Sequence, residues 1–217
     1  MNKHKVNATF FIITWNMPNN PNNPNLLRSI AIDGNEIGCH TNGHKAMAVQ
    51  DARGHEVRVI SDAEYKKDVE SAYPKLAAVV GDVQLPSGRP ALTRFLRPPT
   101  LAVSRQGCED ILNAGYTYIV NGSGSTEDYS AVSMQSLVGI MNHIVHQPNG
   151  KVCPGAILIM HMSGAAARTA RALDILLTNN EQLPDGDPAK FKVGLLGDYL
   201  TGDYSQMMKQ KIDKAYQ

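Results

Sequence analysis

Apolar residues along this chain fall into short runs that alternate with stretches of helical character. Runs rich in β-branched, aromatic or other apolar residues predict strands over 8–13, 36–39, 95–96, 118–120, 156–161 and 192–195. The stretches between them predict helices over 26–32, 62–80, 108–114, 134–146 and 165–180. Strand alternating with helix predicts an α/β fold with parallel strands. Ser61 followed by Glu64 has the pattern of a capping box, so the second helix is expected to open at Asp62. The Asn/Pro tract from Pro18 to Pro24 is expected to be a surface loop, and 183–188 a turn before the last strand. No internal repeat and no linker divides the chain, so residues 1–217 are read as one domain.

Composition narrows the class. The chain has 217 residues, of which 42% are hydrophobic and 19% charged, a balance that gives a packed globular core rather than disorder. Net charge is +1 and the basic residues are dispersed, which argues against nucleic acid or an anionic membrane as partner. Cys39, Cys108 and Cys153 are far apart, their odd number cannot pair fully, and no C-x-x-C occurs, so zinc-ribbon and thioredoxin-like readings fail. There is no signal-peptide pattern and no apolar run of the ~18 residues that a membrane span needs.

The candidate chemistry centres on His40-Thr41-Asn42-Gly43-His44, directly after the apolar run 36–39. A four-residue step on one face of a helical turn would let two imidazoles share a metal ion. Alone, the same spacing is more often that of two surface or capping histidines. Around it stand Asn7-Ala8-Thr9-Phe10-Phe11-Ile12, Phe95-Leu96-Arg97-Pro98-Pro99-Thr100, Asp128-Tyr129, and Gly155-Ala156-Ile157-Leu158-Ile159-Met160-His161.

In order and spacing these segments resemble the polysaccharide deacetylases of the NodB-homology type, carbohydrate esterase family 4, from about residue 5 to 200. The resemblance implies an α/β fold of a particular kind: a deformed (β/α) barrel of the NodB/polysaccharide deacetylase type. It implies hydrolytic removal of N- or O-acetyl groups from a carbohydrate polymer by metal-activated water. His40 and His44 would be ligands of a divalent metal, zinc before cobalt or nickel. His161 would act as general acid towards the departing sugar amine, and Asp128 would tune it. Arg97 would orient the base. Thr100, through its backbone N–H, and Pro99, Ile159 and Tyr129 would line the substrate site. In such a barrel functional residues sit at the carboxyl ends of strands, and His40, Arg97, Asp128 and His161 all follow or end predicted strands. His40, His44, Arg97 and His161 are therefore expected to converge on one concave site at the strand carboxyl ends.

The departures matter as much. The family opens on a strand ending in T-F-D-D-G, whose aspartates supply the base and a third metal ligand. Only Met1 to Val6 precede Asn7 here, and no Asp-Asp pair occurs in the chain. Ser125 stands where the family has the first aspartate of D-x-x-D-W and Tyr129 where it has the tryptophan. The expectation is a deacetylase-like domain incomplete at its amino end, missing the first strand. Its metal site would be weak or empty and its activity impaired. A non-catalytic carbohydrate-binding relative and a shortened product of an active enzyme are the alternatives. A missing strand would leave unpaired edges, which a second copy of the chain could cover in a homo-oligomer. The family setting implies an acetylated polysaccharide or oligosaccharide as partner, outside the cell or in its envelope. Asp128 as a plain turn residue and His161 as a core histidine stay open. His4, His55, His143 and His146 match no motif and are expected at the surface. Of possible replacement acids, Asp33 precedes its strand and so lies at the wrong end. Asp198 and Asp203 follow the last predicted strand and are expected nearer the right rim.

Overall fold

The computed structural model describes residues 1–17, 20–50, 53, 56–130, 133–162, 164, 166–201 and 205–215. They form two compact units, Asn7–Val120 with Gly194–Gln217, and Met1–Val6 with Asn121–Val193.

The larger unit is built on a four-stranded parallel sheet in the order β1-β2-β5-β6, with β1 at one edge. The strands are β1 (Thr9–Ile12), β2 (Glu36–Cys39), β5 (Leu92–Leu96) and β6 (Tyr118–Ile119). β2 pairs in parallel with β1 and β5, and all four of its residues are buried, as expected of an inner strand covered on both faces. Gly38 in β2 admits the ring of Phe11 on β1, for a Cβ there would lie 2.8 Å from it. The crossovers are α1 (Asn22–Ile32), the pair α2 (Asp62–Glu70) and α3 (Ala72–Val80), and α4 (Arg105–Asn113). A short antiparallel pair, β3 (Ala48–Gln50) with β4 (Glu56–Arg58), precedes α2. The core between sheet and helices includes Ile37, Tyr65, Leu76, Leu96, Ile111 and Tyr116.

The smaller unit joins two-residue parallel strands, β7 (Gly124–Ser125) and β8 (Leu158–Ile159), to α5 (Met134–Val145) and α6 (Ala166–Glu181). Leu137 and Met141 of α5 pack with Ala172 and Leu176 of α6. The last helix, α7 (Ser205–Ala215), belongs to the larger unit, where Ile212 packs with Cys108 and Leu112 of α4.

Three expectations about elements are corrected. The helix over 62–80 is two helices, broken at Ser71. Pro74 is the cause, since its ring would clash with the carbonyl of Glu70 and it has no N–H to donate. The Asn/Pro tract is not all loop, because Asn22 to Pro24 form the first turn of α1. Proline is tolerated there because those N–H groups have no partner within the helix. Residues 192–195 form no strand; Lys192, Val193 and Gly194 are exposed and pair with no ladder among the described residues. The capping box at Ser61 is present, with the Ser61 side chain accepting from Glu64 N–H and the Glu64 carboxylate accepting from Ser61 N–H.

Candidate functional site

His40 follows β2 directly, but the segment from His40 to His44 is not a helical turn. Thr41 and His44 adopt left-handed backbone conformations, φ 58° and 53°, and the resulting loop brings the two imidazoles edge to face with centroids 4.7 Å apart. The loop is tied down on several sides. Thr14 N–H donates to the Thr41 carbonyl (3.3 Å), Trp15 N–H to the Asn42 carbonyl (2.8 Å), and His44 N–H to the Thr41 hydroxyl (3.2 Å). His40 Nδ1 lies 2.7 Å from the Arg97 carbonyl oxygen.

Arg97 follows β5, and its own N–H donates to the Cys39 carbonyl at 2.9 Å. Its guanidinium lies 4.2 Å above the Phe11 ring and donates through Nε to the Val120 carbonyl at 3.2 Å. Burial lowers the Arg97 pKa to about 10, which leaves it cationic at neutral pH. Pro99 is buried. Thr100 is exposed, with a left-handed φ of 58°, and its hydroxyl donates to the Pro99 carbonyl at 2.6 Å. Cys39, at the end of β2, is no nucleophile at neutral pH, since burial pushes its thiol up to about 12.

In the smaller unit the ladder itself brings Asp128 to His161. Ser125 is in register with Ile159, and Thr126 continues the pairing, its N–H and hydroxyl both donating to the Ile159 carbonyl. Asp128 and His161 stand just beyond these strand ends. Asp128 is fully buried. Its Oδ1 is 2.7 Å from His161 Nδ1, and its Oδ2 accepts the His161 main-chain N–H (2.9 Å) and the Thr169 hydroxyl (2.7 Å). Burial opposes ionisation, but the hydrogen bonds from His161 and Thr169 outweigh it and hold the Asp128 carboxyl below the usual carboxylate range. The His161 side chain is 39% exposed, so the ring reaches solvent while its Nδ1 side is held. Tyr129 is exposed and lies edge-on to the His161 ring, centroids 5.0 Å apart, and Ile159 is buried. Arg168 donates to the main-chain oxygens of Asp128 (2.9 Å) and Ser130 (2.5 Å). Sequence reasoning missed Arg168 and Thr169; their place on the helix just after His161 was the available signal.

The other titratable residues fall elsewhere. Asp198 is not at the rim of His40 and Arg97. It binds Arg89 at 2.6 Å, and Arg89 in turn reaches Glu36, the first residue of β2, so this acid sits at the amino ends of the strands. Asp203 and His55 lie outside the described residues. His143 is exposed, but His4 and His146 are not free surface groups. The His4 ring is covered between Asp174 and Glu181, each 2.8 Å away. His146 sets its two ring nitrogens against the carbonyls of Asn142 and Ala189.

As a metal site, the donors fit in kind and fall short in number. The two imidazoles suit a divalent cation, and the contact of His40 Nδ1 with a carbonyl is the outer hydrogen bond usual for a ligating histidine. Yet among the described residues no three His, Cys, Asp or Glu side chains are grouped to hold an ion. Nor, among them, is any helix long and apolar enough to cross a membrane.

The family model described as "Polysaccharide deacetylase" matches residues 1–119, over half of the chain, and the chain belongs to that family. Solved structures agree in fold. A peptidoglycan N-acetylglucosamine deacetylase superposes with a TM-score of 0.67 at 20% identity, over 93% of this chain and 79% of that one. A CE4 family pseudoenzyme from Bacillus anthracis gives 0.66 at 21% identity, over 92% and 57%. A family 4 acetyl xylan esterase from Clostridium thermocellum, in complex with a cobalt ion, gives 0.64 at 20% identity, over 91% and 78%. The chain therefore spans 57% of the pseudoenzyme's length and nearly four fifths of the other two. The fold is α/β, of the deformed-barrel type of these deacetylases. A search of curated proteins found no match.

Proposed function

We propose that residues 1–217 act as one deacetylase-like domain that hydrolyses acetyl groups on an extracellular or envelope polysaccharide, with impaired activity in the 217 residues as they stand. The observation that carries this reading is the Asp128–His161 pair. The carboxylate fixes the hydrogen on His161 Nδ1, so Nε2 is left to carry a proton to the substrate. In the hydrolysis, water adds to the acetyl carbonyl and gives up a proton to solvent, and the C–N or C–O bond breaks with its electron pair passing to the sugar nitrogen or oxygen. That atom takes the proton from His161 Nε2 as acetate departs, and Nε2 is reprotonated from solvent. Tyr129 and Ile159, beside that ring, would bound the acetyl and sugar. Pro99 and Thr100 would contribute from the loop after β5, and Arg97 would hold an anionic group.

His40 and His44 would supply two ligands to a divalent metal, zinc first, whose chemistry is to polarise the acetyl oxygen and acidify a water. Among the described residues no third His, Cys, Asp or Glu is grouped with them, and this reading expects weak metal binding and slow turnover. A second reading is a non-catalytic carbohydrate binder; the similar B. anthracis protein is named a pseudoenzyme. Acetate release from acetylated chito-oligosaccharides and acetylated xylan, with and without added zinc, separates them. Slow release that His161→Ala removes supports the deacetylase. Retained glycan binding with no release, even after a T-F-D-D-G strand is added ahead of Asn7, supports the binder.

A further inference from the structure

The histidine loop is fastened to a buried carboxylate that no motif singles out. Asp68 lies in α2 and is 6% exposed. Its Oδ1 accepts the Gly43 N–H at 2.6 Å, and its main-chain oxygen accepts the Asn42 N–H at 3.0 Å. One residue thus grips two successive amides midway between His40 and His44. Gly43 permits the approach, since a Cβ there would stand 2.9 Å from Asp68 Oδ1.

The loop needs such a grip. Thr41 and His44 sit in the left-handed region without being glycine, a conformation that persists only where the surroundings impose it. Other ties act on His40, Thr41, Asn42 and the His44 amide, while the Gly43 N–H is held by Asp68. A buried carboxylate is also a poor choice if only packing were required, because burying it is costly unless its oxygens are bonded. Asp68 Oδ2 meets no partner among the described residues, so the side chain's bond to the loop is what offsets that cost.

We propose that Asp68 is a positioning residue, whose carboxylate holds the Gly43 N–H and so fixes the left-handed loop that sets the His40 and His44 rings against each other. A purpose for that spacing rests on the two-ligand reading above; the test reads the spacing itself, without metal.

The experiment is ring-nitrogen and amide NMR on labelled protein, comparing wild type with Asp68→Ala, Asp68→Asn, Gly43→Ala and Asp110→Ala. Asp110 is the control, an equally buried carboxylate in α4 with an unpartnered oxygen and no bond to the loop. Asp68→Ala and Gly43→Ala should each move the ring signals of both histidines and speed amide exchange at position 43 about tenfold. The double variant should do no more than the larger single change. Asp68→Asn, whose amide oxygen can accept the same N–H, should restore the wild-type ring signals. Asp110→Ala should lower the melting temperature and leave those signals in place. Unchanged rings in Asp68→Ala, or equal ring shifts in Asp110→Ala, would overturn the proposal. If Asp68→Ala does not fold, unchanged rings in Gly43→Ala overturn it instead. Zinc titration of wild type is read separately: no binding would remove the metal reading and leave the Asp68 result standing.

Discussion

The Arg97 carbonyl oxygen accepts a hydrogen bond from His40 Nδ1 at 2.7 Å. A carbonyl only accepts, so the hydrogen sits on Nδ1 and the lone pair on Nε2. β5 thereby orients the imidazole that ends β2, through backbone alone. Long-range nitrogen–proton spectra should find His40 in the Nδ1–H tautomer, and the opposite tautomer would contradict this arrangement.

Metal affinity follows from the donor count. Two imidazoles close half of a tetrahedral shell. Calorimetric titration with zinc should give micromolar affinity at best, and His40→Ala should abolish it. Nanomolar binding would mean that an acid outside the described grouping has completed the shell, with Asp203 the first to replace.

Asp128 makes stability depend on acid. Its folded pKa is depressed, so its contribution is complete above the ordinary carboxylate value of about 3.9 and is lost as pH falls through the folded value. Asp128→Ala should cost about 1–3 kcal/mol at neutral pH through the unpaired Thr169 hydroxyl and His161 N–H groups. In urea melts the gap between wild type and variant should narrow towards pH 2. A gap that stays constant or widens would show that the carboxylate is not held ionised by these bonds.

His4 has the opposite sign. Bonds to Asp174 and then Glu181 raise its pKa above 6.5. The stability it adds is fully present below 6.5 and fades as pH rises through the raised value. Amide exchange in α6 near Asp174 should therefore show wild type losing its advantage over His4→Gln as pH is raised from 6 to 9. An advantage that grows with pH would refute this.

Glu36 is a buried carboxylate at the start of β2, bonded by Thr9, Arg89 and the Gly197 N–H. Arg89→Ala would remove its countercharge while leaving the Thr9 and Gly197 bonds, and because the arginine is 36% exposed the loss should be about 1–3 kcal/mol. Denaturant unfolding measures it, and a loss well under 1 kcal/mol would show the pair to be dispensable.

What was legible in the sequence was local. β2 occupies 36–39 because its apolar run is bounded on both sides, and α2 opens at Asp62 because Ser61 and Glu64 cap it. The order of motifs was also enough to name the family. What was not legible depends on contacts made at a distance. Thr169 meets Asp128 across 41 residues, and Asp68 meets Gly43 across 25. The H-x-x-x-H step suggested a helical turn, but left-handed Thr41 and His44 carry no composition signal, since neither is glycine or asparagine. Residues 192–195 have an apolar pattern and no neighbouring strand, which only the fold reveals.

The most direct test of the account is acetate release from acetylated chito-oligosaccharides in the presence of zinc. On the proposed impaired-site reading the 217-residue chain should release little, because hydrolysis without a positioned base loses ~10²–10⁴ in rate. Adding a T-F-D-D-G strand ahead of Asn7 should restore turnover, and His161→Ala in the extended protein should remove it. Fast, chelator-sensitive release by the unextended chain would contradict the impaired site, and undiminished release by the extended His161→Ala protein would contradict the role given to the Asp128–His161 pair.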